Sequence, residues 1–276
     1  MDIVQKSSRR NILKTGLATI ATAAVTTPKA NAAIKPKIPG ETKVVALMGD
    51  YCHNPISQEI HVRSIFSSKK DWRIHFVRAS RFLTAELLSD TDLLITARYQ
   101  GNDNLGWTTE GVVDSQIPGD PYMTDEQEAA IIYNVKNRGM GWLAVHCTLF
   151  TGREKIEDFL GIEPIMHQEI QPLLFQNLNQ DHPITKDIEP FFVNLDEQFD
   201  VILKYPSTTT ILFRTLAVHD KRIAISGWCL QQGKGRIVGL LPGHNRWPYC
   251  VAQYQEIFWR SAHWAIRHEI PRYPHA

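Results

Sequence analysis

Cysteine is scarce in this chain, and the few cysteines that occur are far apart. The 276 residues contain four cysteines and no C-x-x-C pair, which argues against a structural zinc knuckle built on paired cysteines. The four thiols belong to Cys52, Cys147, Cys229 and Cys250. Their spacing permits disulfides in an oxidising compartment but does not require them.

A surplus of charge and a long apolar run are also missing. The 30 Lys and Arg residues nearly balance the 29 Asp and Glu residues, so composition gives no electrostatic argument for a nucleic-acid partner. No apolar run has the length that a bilayer-spanning helix needs, so we expect no stable membrane span. The sequence shows no internal repeat and no low-complexity tract, and its composition is that of an ordinary globular protein.

The N-terminal stretch "SSRRNILKTGLATIATAAVTTPKANAA" has the three parts of an export signal. A basic start at Arg9 and Arg10 is followed by a short apolar middle and an A-x-A end, which is the order of a secretory signal. The paired arginines resemble the twin-arginine pattern S-R-R-x-F-L-K, with Ile12 in place of Phe. We therefore predict a twin-arginine signal peptide over residues 1–32 and a periplasmic or secreted mature protein.

Strand-like and helix-like segments alternate after a Pro- and Lys-containing linker at residues 33–41. The segments predicted as strands cover residues 43–49, 71–79 and 92–98, and those predicted as helices cover residues 55–66 and 83–90. Strands that alternate with helices indicate βαβ units and a parallel sheet. The sequence therefore predicts one α/β domain over residues 42–270, with an open, mostly parallel sheet flanked by helices, as in flavodoxin-like folds.

The second half of the chain is less regular. A long insertion over residues 99–123 is rich in Gly, Asn, Asp and Pro, and such loops are often functional. Thr124 and Gln127 fit a capping box, which predicts the start of a helix. The apolar run Gly-Trp-Leu-Ala-Val that comes after this helix, at residues 141–145, predicts a buried strand. Further predictions are helix over 154–161, strands over 171–178, 209–218, 222–230 and 235–241, a hairpin joining the last two, and one long final helix over 249–267.

Reactive side chains occur where apolar runs end. His53, His146 and His244 each directly follow a strand-like run beside a turn. In open α/β sheets, ligands bind in the crevice outside the carboxyl ends of the strands, so these three histidines can meet in one crevice. The alternative for each, a hydrogen-bonded core histidine, is about equally common. Asp196 and Glu197, taken alone, are typical of a solvated surface.

The order of short motifs resembles the ThuA-like (trehalose utilization) family. The motifs are "GDYCHNP", "MTDEQEAAIIYNVKNRGMGWLAVHC", "DHPIT", "LDEQF" and "GKGRIVGLLPGHNRWP". The resemblance covers roughly residues 43–267. It implies a fold like that of class I glutamine amidotransferases and a link to disaccharide metabolism, including sugars oxidised to 3-keto forms. The family-matched positions are His53, His146, Asp196, Glu197 and His244.

The chain departs from the family pattern at several positions. Asn54 replaces the family's frequent second histidine, and Phe199 replaces the tyrosine that follows D-E. The stretch "EPIMHQEI" matches the family's F-x-x-H-P segment only loosely, so the match at His167 is weak.

One departure from the amidotransferases bears on the chemistry. In those enzymes the strand leads to a nucleophilic cysteine in a sharp turn, whereas here His146 takes that place and Cys147 comes one residue later. A shift of one residue after a strand turns the side chain away, and a thiolate nucleophile needs a histidine that accepts its proton. We therefore expect no amidotransferase chemistry and a packed Cys147 side chain.

The resemblance implies an exported sugar-active enzyme, and its histidines and carboxylates suit acid–base or metal-assisted elimination, hydrolysis or isomerisation. In a 3-keto sugar the C2 proton is acidified, so a carboxylate such as Glu197 can remove it while His146 or a metal stabilises the developing charge. The predicted catalytic residues are His146, Glu197 and His244. The predicted substrate-binding residues are Asp50, His53, Trp107 and Asp196. The candidates for a divalent metal such as zinc are His53, His146 and His167.

Two other functions stay open at this point. The first is a non-catalytic periplasmic carbohydrate-binding protein with a small-molecule sugar as its partner. The second is a hydrolase that depends on Cys147. The discriminating observation is whether acid–base groups converge within hydrogen-bonding reach of one another.

Overall fold

A computed structural model describes residues 37–50, 52–99, 106–107, 113–114, 123–149, 151–176 and 178–274. The predicted signal peptide and the first part of the linker lie outside these residues. The strands are β1 (Thr42–Met48), β2 (Trp72–Val77), β3 (Leu93–Ala97), β4 (Gly106–Trp107), β5 (Val113–Asp114), β6 (Gly141–Val145), β7 (Ile162–His167), β8 (Gln171–Gln176), β9 (Phe191–Asp196), β10 (Phe199–Leu203), β11 (Thr209–Ala217), β12 (Ile223–Gln232) and β13 (Gly235–Leu240). The α-helices are α1 (Pro55–Ile65), α2 (Ala85–Leu88), α3 (Asp125–Tyr133), α4 (Glu154–Leu160), α5 (Arg246–Tyr249) and α6 (Ala252–Ala265).

The main sheet has nine strands in the order β2-β1-β3-β6-β13-β12-β11-β8-β9. The first five strands pair in parallel, and the last four are added in antiparallel pairs. The α/β class predicted from the alternation of strands and helices is therefore confirmed. The predicted hairpin is also confirmed, because β12 and β13 are joined by a tight turn in which Gly233 has φ +59°.

The parallel strands are buried on both faces, as their continuous apolar sequences predict. Every residue of β1, β3 and β6 is buried. Alternate residues of β1 enter opposite core clusters: Val44 packs in the cluster that contains Phe258 of α6, and Val45 in the cluster that contains Ile131 of α3. The sheet therefore has helices on both faces, and the crevice outside the carboxyl ends of its strands is the place where such folds bind ligands.

Several boundaries differ from the sequence-based predictions. The last helix does not run without a break over 249–267, because Val251 is extended (φ −97°, ψ 123°) and separates α5 from α6. Strands β7 and β10, which were not predicted, pair with each other in a small separate sheet. Most of their residues are exposed or half-buried, so they carry no continuous apolar signal. The capping box at Thr124 is confirmed.

The long insertion is described only in part. Its described residues include the backbone of a short antiparallel pair, β4 with β5. Within the described part of the chain, no helix is both long and apolar enough to cross a membrane.

Candidate functional site

The first site residues follow β1 through a turn that only glycine allows. Gly49 has φ +72°, and a Cβ atom there would lie 2.4 Å from the Cβ of Pro55 at the start of α1. The turn directs Asp50 inward, where it is 2% exposed. Its Oδ1 lies 2.6 Å from His53 Nδ1 and also accepts the backbone N–H of Cys52. The Asp50 carboxylate thus holds the imidazole of His53 in one orientation.

His146 occupies the sharp turn at the end of β6. Its φ is +49°, a left-handed conformation that is uncommon for any residue other than glycine. The side chain is fully buried, and Nδ1 lies 2.9 Å from the carbonyl oxygen of Leu241, just beyond β13. A carbonyl oxygen can only accept, so Nδ1 carries the proton and Nε2 of the neutral ring carries a lone pair.

His244 is held in place by a carboxylate from the opposite end of the sheet. The two oxygens of Asp196, at the end of β9, accept the backbone N–H groups of Gly243 (2.8 Å) and His244 (3.0 Å). Three strands, β12, β11 and β8, separate β9 from β13 in the sheet. These bonds therefore join the end of an edge strand to the loop after a central one, and they bring Glu197 beside His244.

The nitrogens of three histidines converge at this point. His244 Nδ1 lies 3.2 Å from His53 Nε2 and 3.3 Å from His146 Nε2. Glu197 Oε2 lies 3.3 Å from His244 Nδ1 and 3.5 Å from His146 Nε2. Two of the rings are sealed from water, because His53 is 5% exposed and His146 is 0% exposed, whereas the side chains of His244 and Glu197 are 19% and 16% exposed. Groups from four separate strand ends thus meet in one place.

Burial and mutual contacts shift the pKa values of these groups in different directions. Burial lowers the pKa of His146 to about 4, so its ring is neutral at pH 7. Burial opposes ionisation of Glu197, but contacts with His146 and His244 outweigh it and hold the pKa of Glu197 well below its usual range. For His244 burial favours the neutral ring, yet the Glu197 carboxylate outweighs this and raises the pKa of His244. The site therefore favours positive charge beside Glu197.

The donor set fits a divalent metal. The ligand atoms of His53, His146 and His244 all lie within 4.8 Å of one another. Zn²⁺ binds imidazole nitrogens at about 2.0–2.1 Å, so tetrahedral ligands lie about 3.3 Å apart. The two short nitrogen separations, 3.2 and 3.3 Å, match that spacing. Two of the rings donate their other N–H to a carboxylate or a backbone carbonyl, which is the usual support for a metal-binding histidine.

The arrangement of protons leads to the same conclusion. His53 donates through Nδ1 to Asp50, and His146 donates through Nδ1 to Leu241. The Nε2 atoms of His53 and His146 therefore both face His244 Nδ1, and the neutral His146 ring presents a lone pair to it. Lone pairs and a carboxylate that converge on one point repel one another, and a bound cation relieves this repulsion.

Cys147 is packed beside the cluster and does not belong to it. Its Sγ donates to Asp50 Oδ2 at 3.4 Å, and its side chain is buried. Burial and the nearby Asp50 carboxylate raise the pKa of the Cys147 thiol well above its usual value. The thiol therefore stays protonated, and a protonated thiol is a poor nucleophile.

The other predicted site residues differ in their burial and in whether they contact the histidine cluster. Asp50 and Asp196, predicted to bind substrate, are 2% and 0% exposed, and each accepts hydrogen bonds from the backbone. His167 is exposed at the end of β7 and contacts the ring of Phe199, which in turn contacts His146. Among the described residues it is not part of the group of converging ligand atoms. Trp107 lies in β4, but its side chain is outside the described residues.

The sequence did not indicate the surroundings of the cluster. The carbonyl of Leu241 carries no sequence signal, since every residue has one. A cleft of ≈ 370 Å³ also opens beside His244 and is lined by Gln58 and His61 of α1 and by Trp247 of α5. Gln58 lies in α1, four residues after its N-cap Asn54, but nothing in the sequence distinguishes it from the other residues of that helix.

Comparison with known proteins agrees with the motif order. The ThuA family model, described as trehalose utilisation, matches residues 43–265. A comparison with curated proteins found no match.

Among solved structures, a ThuA-like protein from Parabacteroides merdae has a TM-score of 0.64 at 14% identity, with 84% of this chain and 94% of that chain covered. A ThuA-like protein from Bacteroides uniformis has a TM-score of 0.60 at 14% identity, with coverages of 86% and 95%. A β-galactosidase from Rahnella sp. R3 has a TM-score of 0.56 at 12% identity, with 84% of this chain but 32% of that chain covered. At these identities the structural likeness shows the fold alone. The family match decides the assignment, and the chain belongs to the ThuA family, whose description as trehalose utilisation gives it a carbohydrate-related function.

Proposed function

We propose that the chain is a sugar-active enzyme that uses a divalent metal, such as zinc, held by His53, His146 and His244. One observation carries the proposal: His244 Nδ1 lies 3.2 Å from His53 Nε2 and 3.3 Å from His146 Nε2, and all three ligand atoms lie within 4.8 Å of one another. The Asp50 carboxylate and the Leu241 carbonyl fix two of the rings through their other nitrogens. A core that needed histidines only for packing would not aim several lone pairs at one point.

A metal bound there would act as a Lewis acid toward a carbonyl or hydroxyl oxygen of the sugar. The remaining chemistry belongs to the protein. Glu197 is ionised at neutral pH because its pKa is held low, so it is ready to accept a proton. Its side chain is 16% exposed, more than the buried His146, so a substrate can reach it. Glu197 is therefore the general base in this proposal.

A 3-keto glycoside suits this arrangement. When Glu197 removes the C2 proton, the electrons of the C2–H bond stay on carbon and are delocalised toward the C3 carbonyl. If the C1–O bond then breaks, a C1=C2 double bond forms and the aglycone leaves, taking a proton from the protonated Glu197. Return of the proton to carbon without this cleavage would instead give isomerisation, and addition of water to the double bond would give net hydrolysis. All three outcomes share the first step, which needs one base and one stabiliser of negative charge.

Two measurements test the proposal together. The mature protein, purified without chelators, is analysed for bound metal, and a panel of glucosides and 3-keto-glucosides is followed by NMR. We expect about one metal ion per chain and turnover of 3-keto substrates in which the C2 proton exchanges with deuterium from the solvent. Binding of sugars without turnover, with or without metal, would favour the non-catalytic binding protein instead.

We also propose that the chain is exported through the twin-arginine pathway, on the basis of the N-terminal motif. Replacing Arg9 and Arg10 with lysine should leave the precursor inside the cytoplasm, because twin-arginine recognition depends on the paired arginines. Cell fractionation with an antibody against the mature chain measures this. Normal export of the double variant would contradict the assignment.

A further inference from the structure

Glu197 lies in a turn between two buried side chains. On one side is Asp196, which accepts the backbone N–H groups of Gly243 and His244. On the other side is Gln198, which is 1% exposed, whereas the side chain of Glu197 is 16% exposed. The carboxylate that the proposed reaction uses is therefore carried by a turn whose neighbouring residues both point into the interior.

The amide of Gln198 is anchored on strand β11. Its Nε2 donates to the backbone carbonyl of Thr215 at 2.8 Å and to the hydroxyl oxygen of the same residue at 2.9 Å. The carbonyl of Arg222, just before β12, is a third acceptor at 3.4 Å. Because carbonyl oxygens only accept, the nitrogen end of the amide has to face β11, and its orientation is fixed.

The hydrogen bonds continue from β11 to β12 through two buried hydroxyl groups. Thr215 Oγ1 lies 2.6 Å from Ser226 Oγ, which in turn donates to the carbonyl of Ala224 at 3.3 Å. Thr215 therefore accepts from Gln198 and donates to Ser226, so the protons point in one direction along the chain. Thr215 and Ser226 are 0% and 1% exposed, so water does not compete for these bonds.

This chain ends at the carbonyl that orients His146. The backbone carbonyl of Ser226 accepts the N–H of Leu241 at 2.9 Å. The carbonyl of Leu241 accepts the Nδ1 proton of His146, as described above. A buried path of hydrogen bonds thus joins the turn that carries Glu197 to the residue that fixes one of the proposed metal ligands.

Packing alone does not explain an amide at position 198. The oxygen of Gln198, Oε1, is buried and has no hydrogen-bond partner among the residues that the structure describes. An apolar side chain of the same volume would avoid this cost, since an unpartnered buried polar atom lowers stability. The amide adds directional bonds instead, and groups that transfer protons need to be held within about 0.5 Å of their productive position.

We infer that Gln198 is a positioning residue for Glu197, and that the chain from Gln198 through Thr215 to Ser226 holds the proposed base at a fixed distance from His146. The inference rests on the proposed function and adds to it the residues that place its base. Gln198 acts through Glu197 and does not touch the substrate, because its amide is buried against β11.

The test removes the chain at two points. Gln198→Met keeps the volume and removes the amide, Thr215→Val removes the hydroxyl, and Thr215→Ser retains it. We measure kcat and KM with a 3-keto-glucoside and bound metal by elemental analysis. We expect kcat to fall about tenfold in Gln198→Met and in Thr215→Val, because the base is displaced. Thr215→Ser should restore kcat, while KM and metal content stay within about twofold of the wild type.

A matched control separates positioning from stability. Thr91 is also buried and donates to the carbonyl of Leu87, at the end of the sheet opposite to the cluster. Thr91→Val should therefore leave kcat unchanged. An equal fall of kcat in Thr91→Val would mean that lost stability explains the effect and would overturn the inference.

The remaining outcomes distinguish this inference from the proposed function. Unchanged kcat in both Gln198→Met and Thr215→Val, beside an active wild type, overturns the inference and leaves the proposed function intact. Loss of metal in step with kcat would place the effect at the histidines and overturn the assignment to Glu197. If the wild type turns over no substrate, the proposed function fails. Crystal structures then decide whether Gln198→Met, or Thr215→Val if that variant does not fold, displaces Glu197 from His244. An unmoved Glu197 carboxylate overturns the inference.

Discussion

Two buried histidines, His146 and His263, make the same hydrogen bond through Nδ1 but differ in what surrounds Nε2. His146 Nδ1 lies 2.9 Å from the carbonyl oxygen of Leu241, and His263 Nδ1 lies 2.9 Å from the carbonyl oxygen of Trp259. Burial lowers the pKa of each to about 4. Both residues are at most 1% exposed. Neither burial nor the pKa shift distinguishes the two, since burial alone depresses a histidine pKa.

The second ring nitrogen makes the difference. His146 Nε2 lies 3.3 Å from His244 Nδ1 and 3.5 Å from Glu197 Oε2. His263 packs against the rings of Trp72 and Trp259, and its Nε2 has no hydrogen-bond partner among the described residues. A perturbed pKa is therefore weak evidence of function in this fold. The convergence of several donor atoms on one point is the stronger sign.

The largest expected effect separates these two histidines directly. His146→Ala should remove the bound metal and lower turnover by more than about 10³-fold, because it deletes a ligand and its charge stabilisation. His263→Gln should keep both metal and turnover, since His263 only packs. Elemental analysis and steady-state assays on the same preparations measure this. Equal loss of metal in both variants would mean that His146 acts through folding alone.

The second-largest expected effect on turnover is that of replacing the proposed base, Glu197. Glu197→Gln keeps the shape of the side chain but cannot accept a proton, so we expect turnover to fall about 10²–10⁴-fold. Sugar affinity and metal content should stay close to those of the wild type. An assay of kcat together with calorimetric binding separates these quantities. A variant with full turnover would move the base to another residue of the cluster.

The third prediction concerns the group that orients the ring of His53. The side chain of Asp50 orients that ring, whereas a backbone carbonyl orients the ring of His146. Asp50→Asn keeps the size but removes the charge, so metal affinity should weaken about 10–100-fold. Competition with a fluorescent chelator measures the change. Thr96→Val, at a buried position that bonds Trp142 away from the cluster, is a matched core control and should leave metal affinity unchanged. Similar weakening in both would point to general destabilisation.

The smallest expected effect is at Cys147. Its buried, protonated thiol behaves as a packed side chain, so Cys147→Ser should keep turnover within about threefold of the wild type. Iodoacetamide should likewise fail to inactivate the native enzyme, which mass spectrometry and activity assays can follow together. A folded but inactive Cys147→Ser beside an active His146→Ala would restore the nucleophilic hydrolase.

Much of the scaffold could be predicted from local sequence. Continuous apolar runs predicted β1, β3 and β6, because a strand buried on both faces has to be apolar throughout. Since β1, β6 and β13 run in parallel, their carboxyl ends share one edge of the sheet, and this placed His53, His146 and His244 together. The strands β7, β9 and β10 were missed because strands with several exposed residues lack such a run.

Only the tertiary structure decided the rest of the site. Glu197 follows the edge strand β9, which three strands separate from β13, and no local sequence pattern predicts which loop an edge strand will contact. The hydrogen bonds that Asp196 accepts from the backbone of Gly243 and His244 make that connection. The Leu241 carbonyl orients His146, and no sequence pattern predicts this contact. The sequence by itself determined which strands form the parallel sheet and which histidines lie at its edge, because continuous apolar runs and the residues that follow them are local features of the sequence. Long-range backbone hydrogen bonds decided which carboxylate faces them and where the cleft opens, because these depend on how distant segments pack.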